Sequence, residues 1–288
     1  MTLFDNMTTV AIYSAITVTL LIWYGAATNP FKVGGLFLRE MALNRKYLLH
    51  FGALMLILFL NKLEMRIEHH MTYTYDFATF FQSIEGNFVA NLQHMFENRY
   101  LTVFLAFMYV VVFQAMLIAS IGIYSKRSKD KRMFYALCYA IMINYLVAIP
   151  FYLFLPVNEV WYHDPTNVSF LMLNVFPDFE NQYRALSGLD NCFPSLHTSI
   201  SVTLAILAVR SGIKRWAWFC CICAVIIIFA IFYLGIHWLI DMCGGVVLAT
   251  FASTMGMRLS AMNLSLRRGR RSGSVTPGNI TYLREDAK

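Results

Sequence analysis

Two histidines stand at neighbouring helix boundaries predicted from the sequence, and together they have the parts needed for phosphoryl transfer. His197 lies in residues 193–199, and His237 lies directly ahead of an apolar segment that carries Asp241. Residues four apart share one face of a helix, so the Asp241 carboxylate can orient one ring nitrogen of His237 and leave the other free to attack. A nucleophile, its orienting group and a second titratable histidine are the minimum parts for covalent catalysis.

The composition places these residues in a membrane protein. The chain has 288 residues, of which 58% are hydrophobic and only 14% are charged, more apolar surface than one soluble core can bury. Seven apolar runs approach the ~20 residues needed to cross a bilayer: residues 8–28, 47–63, 100–124, 133–155, 197–209, 216–235 and 238–257. The fifth run is short and the last is interrupted by Gly244 and Gly245, so the count could also be six or eight. We predict an all-α polytopic helical bundle with about six to seven transmembrane helices.

The charges in the connecting segments predict the orientation. Lys and Arg concentrate in residues 32–46, 126–132, 210–215 and 258–271, whereas residues 64–97 and 159–190 are acidic on balance. Because basic loops stay on the cytoplasmic side, the two acidic loops, and with them the site, are predicted on the non-cytoplasmic face, with a cytoplasmic carboxyl terminus. The net charge of +7 therefore needs no nucleic acid to explain it.

The organisation predicted from these patterns has three parts. Residues 1–132 contain amino-terminal transmembrane helices and an outer amphipathic loop at about 62–99, residues 133–258 form the core, and residues 259–288 form a polar cytoplasmic tail. The outer loop alternates aromatic and polar residues, which favours an interfacial helix that either seals the bundle or contacts substrate. The six cysteines lack metal-ligand spacing, so neither a metal nor a disulfide is predicted.

The second outer loop, residues 156–194, has the composition of a recognition segment. Arg184 is the one strong phosphate-binding cation in it, although an ion pair with Glu180 or Asp178 is the alternative. Three further residues could contact a sugar or inositol headgroup, or could instead cap the preceding helix: Asn158, Glu159 and Trp161.

The segment before His197 predicts an anion site. Pro194 suits the first turn of a helix, and Ser195 can offer its hydroxyl there. Free backbone amides at a helix amino terminus bind anions. His197 is then placed to donate a proton to a leaving oxygen.

Residues 192–197, followed by residues 237–241, resemble the type 2 phosphatidic acid phosphatase superfamily, mainly over residues 156–250. The resemblance implies that His237 is the nucleophile that becomes phosphohistidine, that His197 protonates the departing alcohol and that Asp241 orients His237. Ser195, with nearby backbone amides, would help to hold the phosphate. The resemblance also implies a phosphatase core in the carboxyl-terminal half and no metal or other cofactor.

The departures from that pattern point to one branch. Lipid phosphatases of the superfamily usually have a first motif of Lys, six residues and Arg-Pro, and a last motif that begins with Ser-Arg. Neither is present, and Ala230 and Ile231 occupy the positions where Ser-Arg is expected. The pattern is closer to the inositol phosphorylceramide synthase branch, whose members are inositolphosphotransferases. In that branch Arg184 would be the main phosphate cation.

The sequence therefore predicts an integral membrane lipid phosphatase or phosphotransferase that acts through phosphohistidine, with a phospholipid, sphingolipid or polyprenyl phosphate as substrate. A phospho-headgroup would pass to an acceptor lipid or alcohol. The alternative is a plain lipid phosphate or polyprenyl diphosphate phosphatase with water as acceptor. A rival of another class is a lipid transporter in which the same three side chains relay protons.

Overall fold

The computed structural model describes residues 2–68, 70, 75–127, 130–184 and 187–272, without the side chains of residues 68 and 263–272. Parts of the predicted outer loop (residues 69 and 71–74), of the basic segment 126–132 (residues 128–129) and of the polar tail (residues 273–288) lie outside this part of the chain. The α-helices among the described residues are α1 (Met7–Ala26), α2 (Pro30–Leu43), α3 (Arg45–Glu68), α4 (Ala78–Glu85), α5 (Phe88–Phe96), α6 (Arg99–Phe107), α7 (Phe113–Arg127), α8 (Arg132–Phe154), α9 (Phe179–Gln182), α10 (Leu196–Ser211), α11 (Lys214–Tyr233) and α12 (Leu239–Ser272).

Among the described residues, six helical segments are long and apolar enough to cross a membrane. Helices α6 and α7 join through a π-helical segment, Met108–Val112, into one span of 29 residues, Arg99–Arg127. Helix α10 is apolar but has only 16 residues. The predicted all-helical membrane bundle is confirmed, with six candidate spans and the short α10 as the seventh apolar helix.

Helix α10 is the centre of the bundle and packs against α8, α11 and α12. Helix α12 also packs along α8, while α1 covers α7 and α3 covers the other side of α8. Large apolar side chains on the outer helices remain exposed, as expected for a surface that faces lipid: Trp23, Phe59, Leu146, Phe154, Trp218 and Val247. The packing brings the first turn of α10 and the first turn of α12 to the same end of the bundle.

Glycines in α12 allow the close helix contacts near that end. Gly244 and Gly245 do not break the helix, which is continuous from Leu239. A Cβ atom on Gly245 would lie 2.7 Å from the Ser195 carbonyl oxygen, and one on Gly256 would lie 2.6 Å from the Ala136 carbonyl oxygen. Only glycine fits at these two positions, because α12 lies directly on α10 and α8.

The connections contain more helix than the sequence predicted. Residues 30–43, read as a basic loop, form α2, which begins at Pro30 with Asn29 as its cap. Helix α3 continues to Glu68, so the first outer loop starts later than predicted and folds into the two short helices α4 and α5. Helix α12 extends to Ser272, so the described part of the polar tail is helical.

Candidate active site

His237 and Asp241 form a buried pair at the amino terminus of α12. The His237 Nδ1 atom lies 3.2 Å from Asp241 Oδ2, and the same oxygen accepts a hydrogen bond of 2.8 Å from the Trp238 amide. His237 itself precedes the helix, so the two residues do not share one helical face as the spacing suggested. Asp241 instead reaches back from the first turn to the residues before the helix, as an acidic residue does in a capping box.

The Nε2 atom of His237 has no hydrogen-bond partner among the residues that the structure describes. Because Asp241 holds the other nitrogen, Nε2 is the atom free to attack. Gly235, two residues earlier, has φ of +82°, and a Cβ there would lie 2.8 Å from the Ser169 carbonyl oxygen. The chain therefore turns sharply into His237 at a position that requires glycine.

The start of the second outer loop holds the two histidine segments in place. Val157 donates its amide to Asp190 O at 2.9 Å and accepts from Cys192 N, just ahead of α10. A few residues later, the Trp161 amide donates to Gly235 O at 3.0 Å, just ahead of His237. One short stretch of backbone thus connects both histidine segments.

The amino terminus of α10 has the features of an anion site. Ser195 is its N-cap, with a side-chain oxygen that accepts from Thr198 N, and its own amide donates to Asp241 O at 3.1 Å. The amides of Leu196 and His197 have no acceptor among the described residues, as expected for the first turn of a helix. These two amides are the donors that a phosphate could use.

His197 faces His237 across an inner cavity of about 130 Å³. The centroids of the two rings are 6.2 Å apart. The ring of Tyr109 stacks on His197 with centroids 4.0 Å apart, and Phe113 packs at 4.4 Å. Both aromatic residues belong to or follow the π-helical segment Met108–Val112, a type of irregularity often found at functional sites.

Glu85 connects the first outer loop to the site. Its carboxylate accepts hydrogen bonds from the amides of Leu239 and Ile240 at 2.7 and 2.6 Å, which caps α12 from 154 residues away in the chain. Burial raises the pKa of Glu85, with those two amides acting in the opposite direction and Asp241 adding to the rise. The first outer loop therefore stabilises the segment that carries His237.

Arg184 is fully engaged by protein groups. Its guanidinium donates two hydrogen bonds to Glu159, two to Glu180 and one to Gly188 O, at distances from 2.6 to 3.1 Å. A guanidinium has five N–H donors, so none remains for a phosphate in this arrangement. Although burial lowers it, the paired carboxylates raise the pKa of Arg184 above its usual value. The predicted alternative, an ion pair with Glu180, is what the geometry contains, and the phosphate role stays a prediction.

The three headgroup candidates are placed differently. Glu159 is buried, lines the inner cavity and accepts a hydrogen bond from the Trp161 indole. Burial raises the pKa of Glu159, although the Arg184 guanidinium opposes that shift. Trp161 stacks on Phe170 with centroids 4.9 Å apart and does not line the inner cavity, while Asn158 bonds to Asp76 at 2.8 Å and lies further out.

One group of side chains has the composition of a metal site. Ligand atoms of Cys192, His237 and Asp241 lie within 4.8 Å of one another. Burial raises the pKa of the Cys192 thiol well above its usual value, whereas a metal ligand must be a thiolate. The Oδ2 atom of Asp241 accepts from His237 and Trp238, so the carboxylate–histidine pair accounts for the closeness of these two side chains, and the absence of a metal stays a prediction.

The chain belongs to the PAP2 superfamily, because the model of that family matches residues 76–255, more than half of the protein. The matched residues run from the first outer loop to within α12 and include both histidines and Asp241. Neither the curated proteins nor the solved structures compared with the chain gave a match. The protein is therefore a multi-pass membrane protein of a superfamily whose members are generally phosphatase-type enzymes, which act on lipid-type phosphate esters.

The sequence interpretation missed three residues that contact or cover the site: Tyr109, Phe113 and Glu85. Tyr109 and Phe113 are four apart in an apolar run and have no sequence feature that separates them from lipid-facing aromatics. Glu85 carried a usable signal, because a lone carboxylate between Phe81 and Phe88 in an amphipathic segment is expected to have a specific partner.

Proposed function

We propose that this protein is a membrane lipid phosphotransferase in which His237 forms a phosphohistidine intermediate. The observation that carries the proposal is the buried His237–Asp241 pair at 3.2 Å, beside a cavity that both His237 and His197 line. A carboxylate-oriented histidine with one free nitrogen is an activated nucleophile. The family match supports a phosphate ester of the lipid type as the substrate.

In this mechanism the Nε2 atom of His237 attacks phosphorus in line, and the bond to the leaving alcohol breaks. His197 gives that alcohol its proton in the first step and takes a proton from the acceptor in the second. The amides of Leu196 and His197, with Ser195 holding the turn, stabilise charge on the phosphoryl oxygens. Arg184 contributes through the loop that it fixes, and it contacts phosphate only if Glu159 or Glu180 releases it.

The acceptor is proposed to be a lipid or alcohol hydroxyl, as in inositolphosphotransferases. Two usual phosphate cations of the lipid phosphatases are missing from the sequence, and the inner cavity is small and lined in part by the second outer loop. Water as acceptor would make the protein a plain lipid phosphatase. The charge pattern of the loops supports an active site on the non-cytoplasmic face and a cytoplasmic carboxyl terminus.

The test is phosphorus-31 NMR of the purified protein in detergent with phosphatidic acid, a polyprenyl diphosphate or phosphatidylinositol, each with and without inositol or ceramide. We expect a new phosphodiester that requires an acceptor and that is lost in His237→Ala. Free phosphate as the product would assign a hydrolase instead.

No turnover of any donor, together with proton-coupled lipid uptake into vesicles, would overturn the enzyme proposal in favour of transport. Arg99→Ala, a substitution at an exposed position outside both cavities, is the control for membrane insertion and expression. A phosphohistidine found by mass spectrometry in the wild type, but not in His237→Ala, would support the covalent step directly.

A further inference from the structure

A second and larger cavity adjoins the inner one. This outer vestibule has a volume of about 880 Å³ and shares Met65 and Gly188 with the inner cavity. Its wall includes Arg184 and Tyr162 from the second outer loop, and it is completed by α3. A headgroup attached to a phosphorus beside His237 would extend into this space, because the two cavities meet there.

Helix α3 presents two cations to the vestibule. Lys62 and Arg66 are four apart, so they lie on one face of the helix, and both are exposed and line the vestibule. Neither forms a salt bridge with a residue in the described ranges. Arg184 differs from them, since Glu159 and Glu180 neutralise it.

The charge balance around the two cavities makes these cations important. Glu159 and Glu180 together carry one more charge than Arg184 neutralises, and Asp190 adds a negative charge in the vestibule wall. Asp241 adds another negative charge beside His237. An anionic headgroup would therefore be repelled unless cations compensate. Lys62 and Arg66 are absent from the wall of the inner cavity, so they face the part of the headgroup beyond the reacting phosphorus.

We propose that the outer vestibule binds a second anionic group of the substrate headgroup, held by Lys62 and Arg66. The inference rests on the proposed function, since it takes the reacting phosphorus to lie in the inner cavity. It restricts the donor substrate to lipids whose headgroup carries a second phosphate or an equivalent anion. Both cations lie ahead of residue 76, at which the family match begins, so the preference belongs to this chain's own α3.

A simpler explanation is that these side chains only anchor the end of a membrane helix at the headgroup level, as Lys and Arg often do. That explanation predicts no difference between ligands with one and two phosphates. The position of both residues in a concave wall continuous with the catalytic cavity favours binding.

The experiment compares inorganic phosphate with pyrophosphate by isothermal titration calorimetry on the full chain in detergent. We expect pyrophosphate to bind the wild type at least about tenfold more tightly, a difference of roughly 1.4 kcal/mol. In Lys62→Ala/Arg66→Ala the ratio of the pyrophosphate affinity to the phosphate affinity should fall to about two, which is the statistical factor for a ligand with two equivalent phosphates. Lys214→Ala/Arg215→Ala, a pair of exposed cations at the other end of α10 and α11, should keep the wild-type ratio.

Equal ratios in the wild type and in Lys62→Ala/Arg66→Ala would overturn the proposal, and so would the absence of any preference in the wild type. Lys62→Gln/Arg66→Gln keeps the side-chain length and covers the case in which the double alanine variant unfolds. Binding is measured without turnover and is repeated in His237→Asn. If His237→Asn keeps the wild-type affinity ratio and the wild type forms no phosphohistidine, the proposed function is contradicted, while the proposed anion binding in the vestibule is supported.

Discussion

Tyr109 lies flat against His197, with ring centroids 4.0 Å apart and an angle of 19° between the planes. Tyr109 is only 1% exposed and belongs to the π-helical segment between α6 and α7. The extra residue in a π-helical turn changes the direction of the side chains that follow it. This segment therefore places a buried aromatic ring against His197.

We expect the ring of Tyr109, and not its hydroxyl, to position His197. Tyr109→Phe should keep turnover within about threefold, whereas Tyr109→Leu should lower kcat by about tenfold, the upper range for an aromatic pair. The measurement is steady-state kinetics with thermal unfolding of each variant. A larger loss in Tyr109→Phe than in Tyr109→Leu would contradict the role of the ring and indicate a role for the hydroxyl.

Gly245 should be essential for the alignment of the two histidines. In Gly245→Ala the new Cβ would meet Ser195 O at 2.7 Å and the Thr198 side chain at 2.9 Å, and a backbone oxygen cannot move away cheaply. We expect a loss of about 1–3 kcal/mol in stability and a fall in turnover. Gly52→Ala in α3 is the matched control, because nothing lies within 4 Å of its Cβ position. Equal behaviour of the two variants would show that α12 does not need this close contact.

Glu85 should make stability depend on pH. Burial raises the pKa of the Glu85 carboxyl, although the hydrogen bonds from the Leu239 and Ile240 amides oppose that rise. A carboxyl group with a higher pKa in the folded state stabilises the fold most below its unfolded pKa of about 4.3, and this contribution is lost as the pH rises through the folded-state pKa. The melting temperature of the wild type should therefore fall relative to that of Glu85→Gln between about pH 4 and pH 8.

The matched control for this series is Glu97→Gln, at an exposed position that follows α5. Its melting temperature relative to the wild type should change less with pH than that of Glu85→Gln. If the wild type instead gains stability over Glu85→Gln as the pH rises, the two α12 amides outweigh burial, and the direction inferred for Glu85 is wrong.

The spans and the histidine pair could be predicted because their signals are local. The length of an apolar run is enough to predict a membrane helix. The four-residue spacing brings the Asp241 carboxylate close to the His237 ring whether the segment is helical or a capped turn. The ion pair of Arg184 with Glu180 is the predicted alternative, but its second partner, Glu159, lies 25 residues away and could not be predicted. The stacking of Tyr109 on His197 depends on the packing of helices far apart in sequence, which no local pattern encodes.

Turnover should be independent of metal ions. The Oδ2 atom of Asp241 already accepts from His237 and Trp238, and burial raises the pKa of the Cys192 thiol, which opposes the formation of a thiolate ligand. Dialysis against EDTA should leave the rate within about twofold, and Cys192→Ala should keep most of the activity. A rate that is lost on chelation and restored by zinc would instead identify these three side chains as ligands.

The loss of rate on replacing His197 should increase with the pKa of the leaving group. If His197 protonates the departing alcohol, His197→Gln should slow cleavage of an alkyl phosphoester by about 10²–10⁴-fold. An aryl phosphoester with an acidic phenol leaves without that proton, so His197→Gln should slow its cleavage far less. The measurement is the rate of phosphohistidine formation with both substrates in the wild type, His197→Gln and His237→Ala. Equal losses with both substrates would mean that His197 positions the phosphate and does not transfer the proton.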